Sequence, residues 1–288
     1  MRTERRFADD FAVLMAVYQR DDPALFDRAL GSVFANTLQP AAVWVVADGP
    51  LTPALEVVLQ KWQQLHSGQL QIERLPLNQG LAHALNAGLQ RISQSWVVRA
   101  DADDLNLPHR FEALARLLQS QPALDVVGSA VQEMTADGRL LGVRTVPLQA
   151  DEIRRYARLR NPFNHMTVAY RRAPVLAVGG YPPLYLREDY GLWCRLLAAG
   201  ARMANTDEIL VYATAGAGLY RRRGGWRYAR AEWALQRLLV TCGLKSRWRA
   251  WRDGLLRAAV FLLPAGMRGW IYERVLRRRA VPMADSGS

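Results

Sequence analysis

Cysteine is nearly absent: Cys194 and Cys242 are the only two in 288 residues, too few and too far apart for a disulfide framework or a zinc cluster. Nothing in that usage calls for an oxidising compartment, so the cytoplasm is the expected location. Long apolar runs are missing as well. The uncharged stretch 258–267 has ten residues, whereas crossing a bilayer takes about 20, and no transmembrane helix is expected. Residues 1–10 mix Arg, Glu and Asp without the apolar stretch of a signal peptide. No Gly-x-Gly-x-x-Gly follows the first apolar run, which argues against a dinucleotide-dependent oxidoreductase. No glycine-rich basic loop follows it either, which argues against a nucleotidyltransferase that grips a triphosphate.

What is present is a globular composition, 50% hydrophobic and 22% charged, in a chain long enough for one large α/β domain and a smaller appendage. The net charge of +12 is confined to one end: residues 221–288 hold 16 Lys and Arg against 4 Asp and Glu, and the preceding 220 residues are balanced. A neutral body therefore carries a cationic tail, and each part needs its own explanation.

Phe11–Val17 and Ala42–Ala47 are continuous apolar runs of the kind that form strands buried on both faces of a parallel sheet. Residues 70–75 and Trp96–Val98 read as further strands. Between them lie helical stretches, one capped by Asp22 with Pro23 in its first turn, then 53–65, 81–92 and 108–118. This alternation predicts right-handed βαβ units in a doubly wound sheet. In such folds ligands bind beyond the carboxyl ends of the strands. Three polar clusters lie there: Tyr18 to Asp21, Asp48-Gly49, and Asp101-Ala102-Asp103-Asp104. Later, Ala136 to Arg139 reads as a hairpin turn, and a helix is expected to begin near Glu188.

Three carboxylates in four residues repel one another unless a cation sits among them. Mg²⁺ and Mn²⁺ take hard oxygen ligands and bridge carboxylates to phosphate, so the cluster is a candidate metal and diphosphate site. A solvated acidic turn that caps the next helix through Asp104 or Asn106 is the alternative. Glu188-Asp189 has two readings also: charges that favour a helix N-terminus, or a general base that takes a proton from an attacking hydroxyl.

Taken in order, Ala16-Val-Tyr18, Val45-Val-Ala-Asp-Gly49, Asn78-Gln-Gly-Leu-Ala-His-Ala-Leu-Asn86, the Asp101–Asp104 cluster, Pro108-His-Arg-Phe111, Asn161-Pro-Phe-Asn-His165, Gly179-Gly-Tyr181 and Glu188-Asp-Tyr190 resemble glycosyltransferase family 2. That family is inverting and has the GT-A fold. The resemblance spans about residues 11–215 and is strongest to the branch that builds bacterial exopolysaccharides and O-antigens.

The resemblance implies a UDP-sugar donor and a divalent metal, Mn²⁺ or Mg²⁺. Tyr18 and Asp48 would meet the uridine, and Asn78, Gly80 and Asn86 would line the donor pocket. Asp101 would face the nucleotide or sugar and share the metal with Asp103, with Asp104 on the donor side. Asp189 would be the base, with Glu188 beside it. The acceptor would be a lipid-linked oligosaccharide. Two positions depart from the family pattern: Ala47 stands where a second Asp is usual, and Leu210–Tyr220 lacks the His found after the last strand in many relatives. His165 and Arg221–Arg223 are candidates to compensate, although a lone histidine is more often structural. A non-catalytic nucleotide-sugar-binding or scaffold protein of the same fold is the alternative.

The catalytic domain is expected over 7–215 and a basic amphipathic helical region over 216–288. Residues 221–279 hold five of the nine tryptophans, interleaved with arginines. That composition suits a helix lying on an anionic membrane surface, here the inner leaflet. Packing on the body is the alternative; nothing else in the chain resembles a nucleic-acid module.

Overall fold

The computed structural model describes residues 6–215 and 225–262. Its centre is one nine-stranded sheet. Strands β1 (Phe11–Val17), β2 (Ala42–Ala47), β3 (Leu70–Arg74) and β4 (Trp96–Arg99) run parallel in the order β3-β2-β1-β4. Beyond β4 the sheet is mixed: β8 (Ala169–Arg171) is antiparallel to β4 and to β6 (Val126–Met134). Next comes β9 (Met203–Thr214), parallel to β6, and the two-residue β5 (Leu105–Asn106), antiparallel to β9. An outer strand, β7 (Leu140–Arg144), completes a hairpin with β6 through the expected turn, where Gly138 has φ +94°.

Helices cover both faces. On one side α1 (Pro23–Phe34), α2 (Pro53–Leu65) and α4 (Arg110–Ser120) bury Phe26, Leu30, Leu59, Phe111 and Leu114 against β1 and β2. On the other lie α3 (Leu81–Arg91), α5 (Ala150–Tyr156), α6 (Arg172–Ala177), α7 (Glu188–Ala198) and α8 (Trp226–Thr241). Leu85, Trp193, Leu235 and Leu239 share that second core. A last helix, α9 (Arg247–Leu262), packs on α8. With both faces covered, β1 has almost no solvent contact, which is why its sequence is apolar throughout.

Local chemistry sets the helix starts. Asp22 caps α1, its Oδ1 accepting from the Ala24 and Leu25 amides at 2.8 and 3.1 Å. Expected element boundaries hold to within a residue or two; the largest offset is α4, which begins at Arg110 rather than 108. There β5 and a turn intervene, with the Arg110 amide bonded to the Leu107 carbonyl at 2.9 Å. Strand order reverses between β1 and β4: β2 and β3 lie on one side of β1, and β4 on the other. The carboxyl ends of β1 and β4 therefore open onto a crevice at the switch point.

Candidate active site

The crevice is built first by β4. After buried Arg99 and Ala100, the chain turns so that Ala102 enters the core while Asp101 and Asp103 face outward. Asp104 turns back in and is 3% exposed. Its Oδ1 accepts the Thr214 amide at 2.7 Å, and the Thr214 hydroxyl donates to the Asp103 carbonyl. The end of β9 is thereby fastened to the acidic loop.

Each of Asp101, Asp103 and Asp104 offers an oxygen within 4.8 Å of the others. Asp104 Oδ2 is buried and has no hydrogen-bond partner, the condition a cation would relieve. A compact set of carboxylate oxygens with one buried member unsatisfied fits a hard divalent ion. The electrostatics of the group show the same crowding of charge. Asp103 is raised to about 6, by desolvation and then by the charge of Asp101, even though its side chain reaches solvent. Burial followed by the charges of Asp101 and Asp103 pushes Asp104 well above the usual carboxylate range. A fourth carboxylate joins them from the end of β1. Asp21 accepts the Tyr18 amide at 2.9 Å and is raised to about 6, chiefly by burial and also by Asp103 and Asp101.

Beneath the acids lie two buried guanidinium groups. Arg99, 2% exposed, pairs with Asp101 and donates to the Ala100 and Leu14 carbonyls. Arg110, fully buried, donates to the Asn106 side chain and, at 2.9 Å, to the Arg99 carbonyl. Burial lowers Arg110 to about 9, while Asp104 and Asp101 hold it up. The two cations offset part of the acidic charge and fix the β4 end. Composition gives no clue to this, because a buried Arg and a surface Arg look alike in sequence.

At the end of β2, Asp48 is 5% exposed and bonds the next loop with both carboxylate oxygens, accepting the Gln79 and Gly80 amides at 2.8 and 2.9 Å. Asn78 donates back to the Asp48 carbonyl at 3.2 Å. In this geometry Asp48 shapes the loop that starts α3. Gly49 permits the approach: at φ +85°, an added Cβ would lie 2.6 Å from the Asn78 nitrogen. Gly80, also at positive φ, caps α3 with open space beside it. Tyr18 stands 39% exposed at the crevice mouth. Asn86 points elsewhere. Its amide forms a two-way clamp with the Tyr181 backbone, at 2.9 and 2.8 Å, and so braces the Gly179-Gly180-Tyr181 loop rather than presenting free polar atoms to the pocket.

The second candidate group is the first turn of α7. Asp189 Oδ1 accepts the Tyr190 amide at 2.7 Å, and Oδ2 accepts the Asn161 side-chain amide. Asn161, which sequence reading gave no role beyond the family resemblance, thus orients the candidate base. Glu188 is 8% exposed and is raised to about 7 by burial and then by Asp189. His165 accepts or donates at Nε2 to the Tyr181 hydroxyl, 3.1 Å away, and packs edge-on against Trp193. Burial first, then the Arg99 charge, lowers it to about 4, so it is neutral at neutral pH; Asp189 and Asp101 pull the other way. His165 therefore lies within electrostatic reach of both acidic groups, and Arg99 influences Asp21, Asp103, His165 and Glu188 alike. The acidic loop and the α7 pair are linked through these two residues: Asp101 and Asp189 both act on His165, and Arg99 acts on Glu188 and Asp103. Arg221–Arg223 lie outside the described residues.

The sequence pattern of glycosyl transferase family 2 matches residues 12–178. The amylovoran biosynthesis glycosyltransferase AmsE of Erwinia amylovora is 34% identical over 264 residues, 92% of this chain and 98% of that one. The UDP-Gal:alpha-D-GlcNAc-diphosphoundecaprenol beta-1,3-galactosyltransferase of Escherichia coli is 34% identical over 273 residues, 93% of this chain and 97% of the relative. Among solved structures, S. aureus TarS 1-349 in complex with UDP-GlcNAc superposes with a TM-score of 0.64 at 17% identity, covering 93% of this chain and 76% of that one. Mannosyltransferase PcManGT from Pyrobaculum calidifontis, in complex with GDP-Man and Mn²⁺, superposes at 0.61 and 17% identity, covering 94% of this chain and 82% of that one. The fold is GT-A with a helical C-terminal region. By pattern, relatives and architecture, the chain belongs to glycosyl transferase family 2 and is a glycosyltransferase.

Proposed function

We propose that the protein transfers a hexose or N-acetylhexosamine, with inversion, from a UDP-sugar to a lipid-linked saccharide in cell-surface polysaccharide biosynthesis. The observation that carries this reading is the Asp101–Asp103–Asp104 cluster, whose oxygens lie within 4.8 Å of one another and fit a divalent ion. Asp189, held by Asn161, acts on the same His165 as Asp101 does and is the base in this reading. The relatives named for amylovoran synthesis and for a diphosphoundecaprenol-linked acceptor, and the neighbour that holds UDP-GlcNAc, support the pathway, acceptor and donor classes.

Asp189 takes the proton of the acceptor hydroxyl as its oxygen attacks the anomeric carbon. The bond to the UDP oxygen breaks on the opposite face, and UDP departs with the electron pair. An α-linked donor gives a β-linked product. Asn161 keeps the carboxylate aimed, and the two backbone amides of the 79–80 loop are fixed by Asp48 where the donor enters. Tyr18 offers an aromatic face for the base, Asn78 and Gly80 line the donor loop, and Asn86 acts through the Tyr181 backbone. A divalent ion held by Asp101 and Asp103, with Asp104 behind them, would neutralise charge developing on the departing diphosphate. The enzyme works at the cytoplasmic leaflet as a peripheral protein; no helix among the described residues is long and apolar enough to cross a membrane.

A donor screen tests this directly. UDP-glucose, UDP-galactose and their N-acetyl forms are offered with and without Mn²⁺. One should turn over only when metal is present; metal-independent turnover would remove the role given to Asp103.

A further inference from the structure

Helix α9 has two apolar faces, and the protein covers one of them. Ala250, Gly254, Ala258 and Phe261 turn inward, where Gly254 lies so close to Trp233 of α8 that an added Cβ would be 2.9 Å from the indole. On the other side Trp248, Trp251 and Leu255 are 68%, 50% and 49% exposed, and the two indoles stack with centroids 5.3 Å apart. These residues, with Ala259, recur at helical spacing and form one outward stripe. Arg247 lies along one edge of it and Arg249 and Arg252 along the other. Exposed tryptophans in a folded protein leave apolar surface in water without return, and arginines beside them favour a negatively charged partner.

The inward side of the same helix reaches the base. Arg257 donates to the Leu159 carbonyl, two residues before Asn161, and pairs with Glu232 of α8 at 3.4 Å. Glu232, fully buried, also pairs with Arg187 at 3.3 Å, and Arg187 immediately precedes Glu188-Asp189. The hairpin of α8 and α9 thus touches both segments that set Asp189. Cation–π and ring contacts tie it further: Arg227 lies over Tyr185, and Phe261 lies near Arg187 and Tyr228.

We propose that the outward stripe of α9, Trp248, Trp251 and Leu255, inserts into the headgroup region of an anionic bilayer and so docks the catalytic body on the membrane surface. Charge selects the occupant: the whole excess of +12 lies in residues 221–288, which suits an acidic lipid surface and disfavours self-association of like-charged hairpins. The inference deepens the lipid-linked acceptor reading and rests on it only for its purpose, since the docking face stands on exposure and charge alone.

The test is co-sedimentation of the full chain with vesicles of phosphatidylglycerol and phosphatidylethanolamine, against vesicles of phosphatidylcholine alone, for the wild type and for W248S/W251S/L255S. The wild type should bind the anionic vesicles, less at high salt, and show an interfacial blue shift of tryptophan emission. The triple variant should bind at least tenfold more weakly, a loss of about 1.4 kcal/mol or more. Its far-UV circular dichroism and its UDP affinity should be unchanged, since all three side chains face solvent. Equal sedimentation of variant and wild type overturns the proposal. So does a wild type that ignores anionic vesicles and loses a dimer on substitution, which would make the stripe a protein interface. Loss of vesicle binding with no transfer from any UDP-sugar would uphold the docking face while removing the donor reading.

Discussion

Glu188 and Asp189 are neighbours in sequence with different surroundings, and their difference has a measurable consequence. Burial and the adjacent Asp189 hold Glu188 at about 7 in the folded protein, against 4.5 for the ordinary carboxyl. At this group the folded state therefore binds more protons than the unfolded chain between those two values, so the contribution of Glu188 to stability falls as pH rises from about 4.5 to 7. Glu188→Gln removes that loss. Thermal denaturation should show the variant gaining on the wild type as pH rises through this window, by an upper limit of about 3 kcal/mol, with little difference at the acid end. A difference between wild type and Glu188→Gln that stays constant across the window would show that Glu188 is not held protonated. Asn161 bears on rate instead. Asn161→Ala should lower kcat roughly ten- to a hundredfold, leave the KM for donor nearly unchanged and shift the pH profile, because it frees a base without touching the donor. Asp101, Asp103 and Asp189 were legible in the sequence because carboxylates at strand and helix ends are conspicuous. Arg99, Arg110 and Asn161 were not. Their importance lies in what they face: a carboxylate pushed against a guanidinium, or an amide 28 residues away from its acid.

Among elements, α3 and the 179–181 loop are clamped together beside α7, which carries Asp189. Gly180 has φ +65°, and a Cβ there would run into the Asn86 amide oxygen that holds the Tyr181 backbone. Gly180→Ala should cost about 1–3 kcal/mol of stability and lower transfer as well, as strain and clash act together. Urea unfolding followed by an activity assay measures both; an unperturbed midpoint would show that the clamp yields freely. The parallel half of the fold was readable because each strand is buried on both faces and so is apolar without alternation. The second half was less so. β5 has two residues, and β8 three, too short to produce a periodic signal. Yet β5 is what draws the chain after Asp104 against β9, where Thr214 meets the acidic loop. The start of α4 was shifted by that same pairing, which is a long-range event that local propensity does not register.

At the scale of the whole molecule, the charge asymmetry seen in the sequence acquires a location. Within the described part of the tail, α8 shares the core behind α7, and α9 carries tryptophans and arginines outward. Sequence alone offered packing on the body and a membrane surface as alternatives. Two faces of one hairpin make the first an observed fact and leave the second compatible with it. The proposed site likewise draws on parts far apart in the chain, the end of β4 near residue 101 and the start of α7 at 188, which meet electrostatically at His165. The central claim is that these are separable halves of one reaction: acids on β4 hold the donor, and Asp189 activates the acceptor. Asp189→Asn tests it most directly, with transfer from the donor found by the screen measured beside Mn²⁺-dependent UDP binding by calorimetry. The account predicts a fall in kcat of about 10²–10⁴ with UDP affinity preserved. Transfer at the wild-type rate, or a parallel loss of UDP binding, would contradict it.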